Sequence, residues 1–184
     1  WAPPGAVWYY NNGAYAVAGA LLERAAQQPF ADLLEQRVFA PYGMTHATMH
    51  VDEVVASDDF AFGHSSYAGD GSIDEVLGPT DGYYGDPIYG PMGGAWASAD
   101  DMGAFALALL GGGSGDVAML DAAKQKHFRI GDAPGRYYGY GLEIDEGVAP
   151  AIVSHVGSVQ GFLSDVEIVP EAGIGLSVMV ASDW

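Results

Sequence analysis

Two short stretches carry the residue types that could do chemistry. One is Trp8-Tyr9-Tyr10-Asn11-Asn12, a phenol and two carboxamides directly before a helical pattern. The other is His155-Val156-Gly157-Ser158, an imidazole, a glycine and a hydroxyl between two strand-like runs, with Gly161-Phe162 just beyond. A phenol ionises near pH ~10, so it is a poor base at neutral pH unless a nearby cation stabilises the phenolate. An imidazole, with its usual value of about 6.5, is mostly neutral at pH ~7. Each residue also has a plain structural reading. Tyr10 is one of 11 tyrosines and could fill a core, Asn12 could be a helix cap, and His155 a buried imidazole with its hydrogen bonds met. Trp1, Trp8, Trp96 and Trp184 read as core or edge aromatics.

Other clusters are weaker. His46 and His50 stand four apart, but no helix is predicted to align them and no acidic third ligand is fixed. Asp70, Ser72, Asp74 and Glu75 alternate acid and polar groups as a calcium loop does, without the full loop pattern. Gly111–Gly115 ends a helix and no lysine follows, so it is not a phosphate loop. No metal site and no cofactor is implied. The absence of cysteine excludes a thiol nucleophile, disulfides, thiolate zinc sites and iron–sulfur clusters, and leaves the redox compartment open.

The elements that must position these residues follow in order. Asn11 and Asn12 can cap a helix in which Tyr15, Ala18, Gly19, Leu22 and Ala26 recur at helical spacing as far as Gln28. Pro29 starts the next helix, with Phe30, Leu33, Leu34, Arg37 and Val38, closed by Pro41-Tyr42-Gly43. Residues 44–95 have no clean period; a stretch that long reads as functional or insertion-like, shaping a pocket mouth. Ser98-Ala99-Asp100-Asp101 is a capping box with Asp in place of Glu, opening a helix with Met102, Phe105, Ala106, Leu109 and Leu110 on its apolar stripe. Gly111-Gly112-Gly113 stops it, and a short helix is predicted between Asp116 and Phe128. From Tyr137 the period becomes two: Tyr138, Tyr140, Leu142 and Ile144 alternate, then come runs at 151–155, 162–169 and 174–181, with Pro170-Glu171-Ala172-Gly173 as a hairpin turn. Helices first and an antiparallel meander after predict an α+β fold, a single domain over 1–184, mainly helical in 1–136 and stranded in 137–184. No internal repeat is visible.

The 184 residues include 24 acidic and 6 basic side chains, a net charge of −18, which argues against nucleic acid or an anionic membrane surface as partner. Only two lysines are present, Lys124 and Lys126. Such a surface suits either a saline environment, where salt screens its self-repulsion, or an ordinary acidic protein. No apolar run is long enough to span a membrane. With 49% hydrophobic residues and about 70% of the extended surface buried on folding, a chain of this length can build a core without disulfide or metal staples.

Four motifs in one order carry a family resemblance. Pro4-Gly5 through Tyr10-Asn11-Asn12 to Glu23 resembles the Tyr-x-Asn block of the serine β-lactamase-like family. That family comprises class C β-lactamases, low-molecular-weight penicillin-binding proteins, related esterases and D-aminopeptidases. Phe39 to His46 resembles its Pro-Leu-Gly-Met turn, Gly93-Gly94 with Ser98 its helix start, and His155-Val156-Gly157 its Lys-Thr-Gly or His-x-Gly strand. The resemblance covers nearly the whole chain. It implies a β-lactamase/transpeptidase fold, an antiparallel sheet with a helical subdomain. It implies a serine in Ser-x-x-Lys that attacks an ester, amide or peptide carbonyl to form an acyl-enzyme. In that frame Tyr10 shares proton transfers with the motif lysine, which is also the cation its phenolate needs. Asn12 donates its amide to a substrate carbonyl, and His155 replaces the family lysine at the substrate. Gly157 lets the strand edge approach the substrate, and the backbone N–H of Ser158 is half of the oxyanion hole. Histidine instead of lysine there resembles esterases and D-amino-acid peptidases more than true β-lactamases; an acidic pocket would favour the imidazolium and partly restore anion recognition.

The sequence departs from the family in one respect. No serine is followed three positions later by lysine. The fold is therefore expected to be N-terminally incomplete, with the nucleophile and first strands upstream of Trp1. Three readings stay open: the C-terminal part of a serine hydrolase; a split enzyme complemented by an N-terminal segment or chain; or a non-catalytic binding module on the same fold. A sheet without its first strands should expose a strand edge and apolar surface.

Overall fold

A computed structural model describes every residue except Trp1, Pro4, Tyr83 and Trp184; the terminal tryptophans assigned to core or edge thus lie outside the described residues. Helix α1 (Asn12–Ala26) begins where the carboxamide of Asn11 accepts the Ala14 N–H at 3.1 Å, and it ends on Gln27 in the left-handed conformation, φ 55°. The Glu23 carboxylate then accepts the Phe30 N–H at 2.8 Å and caps α2 (Phe30–Leu34). The helical path closes at Pro41-Tyr42-Gly43 as expected, but it is not one continuous α-helix: it passes through a π turn (Glu35–Phe39) into α3 (Ala40–Tyr42), ended by Gly43 at φ 77°. Gly19 is the buried residue of α1: a Cβ there would lie 2.2 Å from Pro91 Cγ, so its bareness seats the Gly90–Met92 turn against the helix. The rest of the predicted stripe is uncovered, with Tyr15 and Leu22 exposed.

Residues 44–95 hold α4 (Val51–Ser57) and a two-stranded ribbon of β1 (Gly63–Ser65) and β2 (Glu75–Leu77). Helix α5 (Ala99–Leu109) opens on the complete capping box: the Ser98 hydroxyl accepts the Asp101 N–H, and the Asp101 side chain accepts the Ser98 N–H. Glycines 111 and 113, both at positive φ, follow its end. Helix α6 (Val117–Ala123) is capped by Asp116.

Strands β3 (Phe128–Arg129), β4 (Arg136–Tyr138), β5 (Glu143–Asp145), β6 (Ile152–Val159), β7 (Phe162–Val169) and β8 (Ile174–Val180) form one antiparallel meander in chain order. The run read as one alternating strand from Tyr138 to Ile144 is two strands. Gly139-Tyr140-Gly141 turns back on itself, the Gly139 N–H donating to the Leu142 carbonyl at 2.7 Å with Gly141 at φ 76°. The Pro170–Gly173 turn joins β7 to β8, with Gly173 at φ 64°. The core lies between α5 and the sheet: Leu109 and Ile168 are essentially inaccessible, joined by Phe39, Ala106, Leu142, Ile144, Val153 and Val166. Gly175 of β8 faces α5, where a Cβ would lie 3.0 Å from that of Ala106. By the period of two, Ile174, Leu176, Val178 and Val180 point the other way, and all four are exposed, as is Val156 in the same row as Asp165 and Val178. Strand β8 ends the sheet. The expected open edge and apolar surface are therefore both present among the described residues. No helix there is long and apolar enough to cross a membrane.

Candidate active site

The site forms where the extended segment before α1 crosses the open end of β6. Strand β5 pairs with β6 only at Ile152–Ser154, so from His155 onward the β6 edge extends past its neighbour. Tyr10 arrives there from the N-terminal side. Its ring centroid is 6.1 Å from that of His155 and 6.4 Å, edge-on, from that of Tyr138. Trp8 also packs against Tyr138, its ring centroid 5.4 Å away. Two residues far apart in sequence, both singled out by type and motif, thus meet.

The imidazole of His155 is held at both nitrogens. Nδ1 lies 2.6 Å from the Val156 carbonyl oxygen, and Nε2 lies 3.1 Å from the Tyr138 hydroxyl. Tyr138 is buried, and its phenol is pushed well above the usual tyrosine range, first by burial and then by the hydroxyl of Tyr15, by Tyr10 and by Glu143. Tyr138 is the member of the site that motif reasoning missed. Its only signal in the sequence is its place at the lip of the Gly139-Tyr140-Gly141 turn.

The other predicted residues fall as follows. Asn12 is the first residue of α1 and exposed. The capping side chain is that of Asn11, which leaves the Asn12 carboxamide free of that duty. Gly157 sits opposite Ser164, whose Oγ would lie 2.2 Å from a Cβ at 157, so this glycine makes room across the ladder. Ser158 is exposed in β6; two residues beyond Val156, its backbone points to the same edge as the Val156 carbonyl. Tyr10 is also exposed, so this face of the candidate site stands open to solvent.

The weaker clusters have local partners. His50 lies 3.3 Å from Asp32, and the His46 N–H donates to Asp101. Asp70 accepts the Ser72 N–H, Asp74 accepts the Tyr67 N–H, and Glu75 is bonded by Tyr67 and Gln160. Beneath the β6–β7 turn, Trp96, Tyr84 and Phe162 pack edge-on, and Asp183 accepts the Gly161 N–H at 2.8 Å and the Ser65 hydroxyl at 2.7 Å. These contacts fasten the hairpin that carries His155.

An antiparallel sheet backed by α5, with helices preceding it and a tyrosine meeting a histidine at the sheet's edge, is the β-lactamase/transpeptidase fold. The family model described as Beta-lactamase matches residues 1–183, and the chain belongs to that family. Among solved structures it is similar to the octameric penicillin-binding protein homologue from Pyrococcus abyssi, at TM-score 0.83 and 22% identity over 98% of this chain and 40% of that one. It is similar to a beta-lactamase/D-alanine carboxypeptidase from Pseudomonas syringae, at 0.80 and 19% over 100% and 58%. It is also similar to the D-amino acid amidase from Ochrobactrum anthropi SV3, at 0.75 and 22% over 98% and 52%. The chain thus spans roughly half the length of these structures.

Proposed function

We propose that residues 1–184 form the substrate-binding and proton-transfer side of a serine hydrolase acting on an ester, amide or peptide through an acyl-enzyme. The nucleophilic serine and its lysine would be supplied by polypeptide outside these residues. The observation that carries this reading is the meeting of Tyr10 with His155 at the open end of β6. In it, the serine Oγ attacks the carbonyl carbon and its proton passes through the lysine–Tyr10 pair to the leaving group. Water then attacks the acyl carbon, gives its proton back along the same path, and frees the serine. The backbone N–H of Ser158, aimed along the free edge, would hold the oxyanion with the serine's own N–H, and Asn12 would bind the substrate carbonyl.

The complementing polypeptide would pair with the outer edge of β8 and cover Ile174, Leu176, Val178 and Val180, together with the exposed face of α1 that carries Leu21 and Leu22. A segment of the same protein and a separate chain are equally compatible with that surface.

The experiment is intact mass of the protein from its natural source, with and without a fluorophosphonate probe. The expected result is a mass above 19.2 kDa that gains one adduct. A mass near that value with no adduct favours the second reading, a binding module, which the lack of Ser-x-x-Lys within these residues supports.

A further inference from the structure

The hairpin that carries Gly157 and Ser158 closes over two residues, Gln160 and Gly161, because Val159 pairs with Phe162. Two-residue hairpins favour turns whose first central residue has positive φ, since that twist matches the strands. Here only the second is positive, Gly161 at φ 79°. A turn of that kind splays the strands it joins unless something outside holds it. The outside groups are present. The Tyr84 hydroxyl donates to the Gln160 carbonyl, and the His64 N–H to the Gly161 carbonyl at 3.2 Å. The Gly161 N–H donates to Asp183 Oδ2 at 2.8 Å.

Asp183 joins three segments at this point. It follows β8, and its own N–H donates to the His64 carbonyl at 3.2 Å. Besides the Gly161 N–H, Oδ2 accepts the hydroxyl of buried Ser65 at 2.7 Å, and Oδ1 accepts the Ser66 N–H at 3.2 Å. The Gly161 N–H above all, and then the Ser65 hydroxyl, hold its carboxyl below the usual carboxylate range, so at neutral pH it accepts as the anion. Strand β1 lies directly against the turn: a Cβ at Gly161 would be 3.0 Å from the backbone of Gly63.

The turn begins two residues beyond Ser158. In an antiparallel ladder, hydrogen-bonded pairs alternate with pairs whose N–H and C=O point away from the partner. Val159 and Phe162 close the hairpin as a bonded pair, so Ser158, opposite Leu163, turns its N–H to the free edge. No bond to β7 holds that N–H, and the pairing of β5 ends at Ser154. Its place is set by the backbone on either side, which on one side is the turn. We propose that Asp183 is a positioning residue for this site: by tying Gly161 to β1 and to the end of β8, it fixes where the Ser158 N–H stands on the free edge of β6. The proposal rests on the hydrolase reading, in which that N–H binds the oxyanion. Asp183 touches no substrate. Its effect falls on the step in which charge develops on the carbonyl oxygen, where a displaced donor loses most.

The test compares the intact protein with Asp183→Ala and Asp183→Asn. Serines are labelled to completion with a fluorophosphonate and counted by intact mass, and ester turnover is expressed per labelled serine. In Asp183→Ala that turnover is expected to fall about 10–100-fold, part of the roughly 10²–10³-fold worth of an oxyanion donor, with KM changed by less than about threefold. Asp183→Asn, whose carbonyl oxygen can keep the Gly161 and Ser65 bonds, is expected to recover most of that loss. A purely structural role would lower the labelled fraction and leave turnover per labelled serine unchanged, and that result overturns the proposal. So does an Asn variant no better than Ala. If the variants fail to fold, hydrogen exchange of the wild-type Gly161 amide, followed by NMR, keeps the clamp testable. It is expected to be at least about tenfold slower than that of an exposed amide, and exchange at the exposed rate overturns the proposal. A wild type that takes no adduct sinks the hydrolase reading and this proposal with it. A labelled wild type whose turnover Asp183→Ala leaves intact sinks the proposal alone.

Discussion

Asp101 is the buried charge on which the start of α5 depends, and its removal can be worked through bond by bond. The residue is 2% exposed. Oδ1 accepts the His46 N–H at 3.1 Å; Oδ2 accepts the Ser98 N–H and the Ser98 hydroxyl, both at 2.8 Å. Asp101→Ala deletes all three acceptor contacts and leaves two backbone donors and a hydroxyl in a cramped, largely dry site. Each donor left unmet costs about 1–3 kcal/mol, but the exposed ring of His46 marks a place where water can reach one of them. The Ser98 hydroxyl still caps the helix through the residue 101 N–H, so half the capping box survives. The desolvation of the carboxylate, no longer suffered, offsets part of the loss. The net expectation is a destabilisation of about 2–4 kcal/mol, and about half that for Asp101→Asn, whose single carbonyl oxygen can still serve one side.

Urea unfolding of the intact protein, followed by tryptophan fluorescence and circular dichroism, measures it, with an unchanged m value marking a pure stability change. The pH dependence adds a second check. Burial alone would raise the Asp101 carboxyl, but the N–H groups of Ser98 and His46 and the Ser98 hydroxyl outweigh it, and the net shift is downward. A carboxyl lowered in the folded state adds stability that is fully present above its unfolded value of about 3.9 and is lost as pH falls through the lower folded value. The gap between wild type and Asp101→Ala should therefore be constant through neutral pH and shrink below pH ~4. A destabilisation under about 1 kcal/mol, or a gap that stays constant until the wild type itself unfolds in acid, would refute this assignment.

Three further perturbations address the site and its surroundings. On the proposed hydrolase reading, Tyr10→Phe in the intact protein should lower kcat by about 10²–10⁴-fold, the usual worth of a general acid–base group, and a loss under about tenfold removes Tyr10 from proton transfer. Gly139→Ala would put a Cβ 1.9 Å from the backbone carbonyl of Ala123, which cannot rotate away as a side chain does. About 1–3 kcal/mol of destabilisation is expected in urea unfolding, with disturbance of the His155 signals through neighbouring Tyr138; unchanged stability would mean that the turn is not fixed as described. Leu176→Lys separates a covered β8 from a bare one. The intact protein should lose about 1.5 kcal/mol or more if complementing polypeptide buries that face, and no more than about 0.5 kcal/mol if the face meets water.

Much of the local structure was legible because its causes are local. Asn11, Ser98 with Asp101, and Asp116 each start a helix by one side chain satisfying nearby N–H groups, and that chemistry is written within four residues of sequence. The alternation in β7 and β8 and the Pro170–Gly173 turn are equally local, whereas β6 runs past the expected 151–155 to Val159 and takes Val156, Gly157 and Ser158 into the strand. The misreadings came where a local pattern had two physical meanings. Tyr138, Tyr140, Leu142 and Ile144 alternate with their neighbours as a strand does, but the intervening Gly139 and Gly141 supply the freedom for a turn, and at Gly141 the chain uses it. The stripe of α1 reads as a buried face, yet only Gly19 is covered, because helical spacing states which side is apolar and not whether anything lies against it.

The same distinction explains the candidate site. Tyr10 and His155 could be found because each sits in a short motif whose residue types are restricted. Tyr138 could not: it is one of 11 tyrosines, marked only by the Gly139-Tyr140-Gly141 turn beside it. Its importance arises from register. Tyr138 pairs with Glu143, and Glu143 with Ser154, so two hydrogen-bonded ladders bring the end of β4 beside the residue that precedes His155. The turn at Gly139 is what allows that first ladder to form so close to Tyr138. A sequence reading that treats 138–144 as one strand places Tyr138 and Glu143 about five residues apart along a single edge, roughly 17 Å, and loses the contact altogether. The hydroxyl that meets His155 was thus hidden by a single misread turn. Resolving such a turn matters more to the chemistry of this site than naming another motif would.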